Sequence, residues 1–149
     1  MRFHILILLA AGFLIAADTP KEDPARKDQE KLLGVWKGVS GEHNGDKLKD
    51  ADVEMIRLTF KEDKMSARSP DGQAKEVGTY KFDPSKKPPA LDLMLKEGPD
   101  KDKTALGIYQ LDGDMLKLCI AKPGKDRPAE FATKPDSDTA LMVFKREKP

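Results

Sequence analysis

Along most of the chain apolar residues recur at every second position in short runs, and each run is broken by Pro, Gly, Asn or Asp. Alternation of this kind marks strands with one buried face. The most informative stretch is 104–121, TALGIYQLDGDMLKLCIA, two apolar runs joined at Asp112-Gly113. Asp-Gly between such runs signals a two-residue hairpin loop, and a type I′ turn on those residues sets Tyr109 opposite Leu116 and Gly107 opposite Leu118. One face then carries Ala105, Gly107, Tyr109 and Leu111 against Leu116, Leu118 and Ile120. The other carries Leu106, Ile108, Met115 and Cys119 beside Gln110 and Lys117, so it too is partly apolar. A three-residue loop with a bulge would exchange the two faces.

The same reading places strands at 33–40, 55–61, 64–68, 76–83, 91–95 and 140–146, with a short run around Phe131. Ile56, Leu58 and Phe60 share one face of their strand, as do Gly78, Tyr80 and Phe82, and Leu91, Leu93 and Leu95. Turns fall at Asn44-Gly45, Glu62-Asp63 and 69–72, and polar connections at 46–52, 84–89, 98–103, 122–128 and 134–138. Short strands at spacings of about 8–12 residues, with almost no helix-period segment, predict an all-β sandwich or barrel. Successive hairpins favour an up-and-down antiparallel β-barrel of about eight strands, whose closure removes exposed edges.

Residues 1–17 read as a signal peptide: Arg2, a short apolar run from Ile5 to Ala16, and small residues at Ala16-Ala17. That run is shorter than the roughly 20 apolar residues of a membrane span, so no anchor is expected after cleavage. Residues 18–31 are polar and carry Pro20 and Pro24, which predicts a flexible leader with a turn of helix at 29–33. The domain proper is expected at 32–148.

Composition narrows the function classes. Among 149 residues 36% are charged, yet Lys+Arg 27 and Asp+Glu 26 nearly cancel, and losing Arg2 with the leader brings the balance to zero. A neutral chain lacks the overall basic footprint of a nucleic-acid binder. One Cys excludes an internal disulfide and a two-thiol metal site.

Two resemblances follow. Gly34-Val35-Trp36 resembles the G-x-W start of the first strand in lipocalins. That resemblance implies structural roles for Gly34 and Trp36, the Trp closing one barrel end and stacking on a basic side chain of the last strand, Arg146 or else Lys145. From about Leu32 to Lys148 the chain is similar to the small exported lipocalin-like domains abundant in planctomycete bacteria, a family of uncharacterised function. The segments carrying this are LLGVWKGVS, RLTFKEDK, GTYKFDPSKKPPALDL, GPDK and LGIYQLDGDMLKLCIAKPGKDRPAEFATKP. It implies a lipocalin-like barrel in the periplasm or outside the cell, and it carries over no catalytic residue.

Chemistry-bearing residues are few. Ser40 and His43 lie close in sequence, but His43 sits in a polar turn, and a nucleophile pair also needs an orienting group and an oxyanion hole. Asp100, Asp102, Asp112 and Asp114 lack the later acid of a calcium loop. Cys119 reads as a buried small hydrophobe or as a thiol open to partners. Arg127, held between Pro123-Gly124 and Pro128, suits a carboxylate on a ligand or partner, or an internal ion pair with Asp126 or Glu130. No catalytic residue, metal site or cofactor is expected.

Two functions fit, both in a monomer. In one, a small apolar molecule sits inside the barrel among Tyr80, Phe82, Leu93, Tyr109, Leu116 and Leu118. In the other, the barrel is filled by its own side chains and an outer surface, the second hairpin face above all, meets another exported protein. These inward residues are mostly large, which favours a small or closed interior.

Overall fold

A computed structural model of the chain describes Lys21 and residues 23–148. The strands are β1 (Gly34–His43), β2 (Asp46–Lys47), β3 (Arg57–Lys61), β4 (Lys64–Arg68), β5 (Ala74–Asp83), β6 (Ala90–Leu95), β7 (Thr104–Asp112), β8 (Met115–Ala121) and β9 (Thr139–Arg146). Two helices, α1 (Pro24–Leu32) and α2 (Asp50–Met55), flank β1 in the chain. Neighbouring strands pair antiparallel in sequence order, and β9 returns to pair with β1. Eight strands, β1 and β3–β9, thus close an up-and-down barrel, while the two-residue β2 only extends the hairpin of β1. The all-β up-and-down barrel of about eight strands read from the alternation is the one observed, and it is consistent with the lipocalin-like fold that the resemblance implies. The signal-peptide reading of 1–17 lies outside the described residues.

Inward positions follow the period of two. Leu58 and Phe60 of β3, Tyr80 of β5, Leu91 and Leu93 of β6, Tyr109 of β7, Leu116 and Leu118 of β8 and Phe144 of β9 form one buried cluster. Burying each large side chain contributes about 1.5–3 kcal/mol, so this cluster supplies most of the drive to fold.

The central hairpin differs from expectation by two residues. Leu111 pairs with Leu116, Tyr109 with Leu118 and Gly107 with Ile120, so the loop is Gly113-Asp114 and Asp112 ends β7. Of the loop's two residues only Gly113 has positive φ, at 57°, the pattern of a II′ turn with Gly first rather than I′. A shift of two leaves every side chain on its expected face, because the strand period is also two. The I′ pattern occurs instead at Asn44-Gly45, with φ of 51° and 85°.

The polar leader is ordered from Asp23 onward. Asp23 caps α1 by accepting a hydrogen bond from the Ala25 amide at 3.0 Å, and Pro24 at the first helical position presets φ. The helix needs only one apolar side chain to dock: Leu32 is fully buried in the barrel cluster. The expected polar connection before β3 contains α2, whose Val53 is buried against Gly38 of β1. The run around Phe131 is not a strand.

Trp36 closes the capped end as its resemblance implied. It is fully buried, its indole N–H donates to the Leu32 carbonyl at 2.9 Å, and the Arg146 guanidinium lies 4.3 Å from its ring centroid. Gly34 precedes it at φ 116°, a conformation that only glycine adopts without strain. Lys145, the other candidate, faces outward opposite Lys37.

Four substitutions test these contacts. Trp36→Ala is expected to cost about 3–5 kcal/mol in denaturant unfolding, the range for a large buried side chain. Arg146→Met should cost about 1–3 kcal/mol and speed amide hydrogen exchange in 27–33 first, since Arg146 ties that segment to the barrel. Gly113→Val should cost about 1–2 kcal/mol through left-handed strain. Asp112→Ala, at a plain strand end, should stay within about 0.5 kcal/mol of the parent; a large loss there with a silent Gly113→Val would contradict the loop assignment.

Candidate functional site

The interior is occupied by protein. Phe60, Tyr80, Phe82 and Tyr109 form a continuous aromatic chain, with centroids 5.0 Å apart for Phe60–Tyr80, 5.0 Å for Tyr80–Phe82 and 4.7 Å for Phe82–Tyr109. Edge and tilted contacts at these distances are the favoured geometry of packed rings. Leu93, Leu116 and Leu118 are no more than 3% exposed behind them. The structure therefore brings all six expected interior residues together, as a packed core. Phe82 alone among the six stays partly exposed.

Polar anchors tie that core to the capped end. The Tyr109 hydroxyl donates to Asp28 Oδ2 at 2.6 Å, and burial together with the Asp28 carboxylate pushes the phenol pKa well upward, so it remains a donor. Tyr80 donates to the Glu62 carbonyl at 2.5 Å, and the Gln29 amide donates to the same oxygen at 2.9 Å. Arg146 donates to the carbonyls of Leu33 at 3.0 Å and of Lys31, and pairs with Asp114. Two helical residues and one basic strand residue thus fix α1 across the barrel mouth.

Beside this plug lies a groove of about 430 Å³. Its apolar walls are Pro89, Leu111, Phe131 and the flank of Tyr109, while Asp28, Lys31, Gln110 and Arg146 supply polar groups. Three of those four are not equivalent: Asp28 is held by Tyr109 and Arg146 by Asp114, whereas Lys31 makes no ion pair among the described residues. The size lies within the 300–1,000 Å³ usual for small-molecule sites, and an apolar lining with a few polar groups is their usual make-up. Of the expected interior set only Tyr109 reaches it. Sequence reasoning misses Asp28 and Lys31 as site residues because 18–31 reads as a flexible leader with only a turn of helix at 29–33; the Asp23-Pro24 start signal is the available clue to the longer helix.

The second hairpin face is covered in part: Ile108 and Cys119 are buried, while Met115 at its turn end stays exposed. Residues 122–138 cross its outer side, so that Ile108 and Cys119 are 1% and 0% exposed. Cys119 Sγ lies 3.7 Å from the Ala132 carbonyl, and burial raises its thiol pKa. Of the two readings of Cys119, the buried hydrophobe is the observed one. Phe131 lies beneath Lys117, with Nζ 5.5 Å from the ring centroid, and the Thr133 hydroxyl accepts from the Gly45 amide at 2.9 Å. Part of the apolarity that suggests a partner surface, at Ile108 and Cys119, is buried within the protein, with Cys119 against the chain's own long connection.

Arg127 anchors that connection, with different partners from those expected. Its guanidinium pairs with Asp92 at 2.6 Å, not with Asp126 or Glu130, and donates to the Leu91 and Gly107 carbonyls at 3.0 and 2.8 Å. Those carbonyls belong to β6 and β7, so the side chain bridges two strands and is committed to the fold. Ser40 and His43 are three residues apart on β1 and so point to opposite faces. Among the described residues no group of three or more His, Cys, Asp and Glu is arranged to hold a metal, and no helix is long and apolar enough to cross a membrane.

Arg127→Met is expected to lower stability by about 2 kcal/mol, since it strips charge-assisted bonds from two strand carbonyls. It should also open the connection, so that Cys119 in the folded protein reacts with a thiol reagent many-fold faster than in the parent; an unchanged rate would mean that Arg127 does not hold the loop. Comparisons with protein-family models, with curated proteins and with solved structures find no match to this chain.

Proposed function

We propose that the chain is an exported, non-enzymatic binding module that takes a small amphipathic molecule in the groove at the capped end of its barrel, not inside it. Export rests on the signal-like residues 1–17 and on the resemblance to exported lipocalin-like domains. The observation that carries the site is the groove itself: apolar walls of Pro89, Leu111 and Phe131 with Lys31, which makes no ion pair among the described residues. An apolar ring or chain bearing one anionic group matches both features. The aromatic core argues against the interior as the place, since seating a ligand there means displacing side chains packed at protein density.

Anilinonaphthalene sulfonate, an apolar ring system with one anionic group, tests this by fluorescence titration of the folded protein. Saturable binding with one site per chain is expected. Lys31→Glu and Phe131→Ser should each weaken it about tenfold, or about 1.4 kcal/mol, without lowering the melting temperature by more than a few degrees. Binding that survives both substitutions would place the ligand elsewhere and overturn the reading.

A further inference from the structure

A second surface is marked by charge. On the outer wall, Lys145 of β9 is in register with Lys37 of β1, Lys37 with Arg57 of β3, and Arg57 with Arg68 of β4. Their neighbours Phe144, Trp36, Leu58 and Ala67 point inward, so all four cationic positions lie on the outer face. Strands are spaced about 4.8 Å apart, so the row runs about 14 Å straight across the strands. Like charges directly opposite one another on adjacent strands are destabilising. Here three such pairings are consecutive.

Little in the fold offsets them. Arg57 turns to Glu147, 3.1 Å from both carboxylate oxygens, and to the carbonyls of Glu54 and Ile56. Lys37, Arg68 and Lys145 make no ion pair among the described residues, and Lys37, Arg68 and Lys145 are exposed. Arg57 and Arg68 of the row line a groove of about 620 Å³ together with Val35, Met55, Thr59, Ser66 and Pro70. Glu54 and Glu147 are the acids that line the groove at this face.

We infer that this face binds a linear acidic polysaccharide, its chain laid along the Lys145–Lys37–Arg57–Arg68 row. One cation per strand spacing matches a polymer with one carboxylate or sulfate per sugar, and the Thr59 and Ser66 hydroxyls offer hydrogen bonds to sugar oxygens. Duplex DNA carries a charge about every 1.7 Å of its axis, far denser than this row. Single-stranded nucleic acid is held by aromatic platforms as well as charge, and no aromatic residue lines this groove. This inference is independent of the capped-end groove, which lies on another part of the barrel.

Polygalacturonate titrated against the purified protein is the test, with neutral dextran and single-stranded DNA in parallel. Polygalacturonate should bind and dextran should not, and the binding should weaken as salt rises through about 0.15 M, where screening acts over about 8 Å. The triple variant Lys37→Ser, Arg68→Ser, Lys145→Ser leaves the Arg57–Glu147 pair intact. It should bind at least tenfold more weakly while melting no lower than the parent, since it removes opposed like charges. Lys86→Ser, Lys101→Ser, Lys122→Ser, an equal loss of charge in loops elsewhere, should keep affinity within about twofold, well inside the 1.4 kcal/mol that a tenfold change represents. Equal losses in the two triple variants would reduce the effect to net charge and overturn the inference. So would absence of polygalacturonate binding, or DNA binding as tightly through the same three residues.

Discussion

The Trp36–Arg146 contact sits where three problems of the fold meet. A barrel must join its first strand to its last, and these two residues are cross-strand partners on that seam. It must also close its ends, and the indole N–H and the guanidinium between them hold the carbonyls of Leu32, Leu33 and Lys31, the last turn of α1 and the residue after it. Finally it must shield a large apolar ring, and the guanidinium covers that ring at 4.3 Å. Carbonyls at a helix C-terminus have no intrahelical partner, so a cation there satisfies orphan acceptors as well as the helix dipole. Such a contact is worth about 0.5–2 kcal/mol beyond packing. Its larger effect is to make seam and plug one cooperative unit.

That unit decides where binding can occur. A barrel of eight strands has room either for side chains or for one small ligand. Here the aromatic chain Phe60–Tyr80–Phe82–Tyr109 takes the space, and the hydroxyls at two of its links are tied outward to Glu62 and Asp28. A ring anchored at its polar tip cannot swing aside cheaply, because the freed hydroxyl or carboxylate would lose its partner in a partly buried place. That is why both proposed sites lie outside the core, one where the plug meets the β7–β8 hairpin and one where charge accumulates on the wall.

How far this was legible in the sequence depends on the range of the signal. Alternation is local, and it located the strands and the inward faces; the face assignment of Tyr109, Leu116 and Leu118 survived even a two-residue error in register. The turn itself was misread because Asp112-Gly113-Asp114 offers Gly to either of two adjacent loops, and only cross-strand packing of Leu111 on Leu116 chooses between them. Of helix α1 only the last turn, near 29–33, is legible, because a plug needs one buried apolar residue, Leu32, too few for a periodic pattern. The partners of Arg127 and the cover over Cys119 are contacts between distant segments. A spacing rule reaches Asp126 or Glu130; it does not reach Asp92, 35 residues away.

Net charge conceals the cationic row for a related reason. A balance of zero is an average over the surface, and averaging discards the arrangement that a binding partner meets. Lys37, Arg57, Arg68 and Lys145 are scattered along the sequence, each amid ordinary charge alternation, and only closure of the barrel sets them in one row. The acids that balance them are spent elsewhere: Asp114 on Arg146 and Lys148, Asp92 on Arg127, Glu76 on Lys96. Exposed pairs of that kind are worth only about 0–1 kcal/mol each, so the fold gains little from distributing them so. Folding stability alone therefore gives no reason to leave three cations in the row without an ion pair among the described residues, whereas the anionic chain proposed for this face uses them.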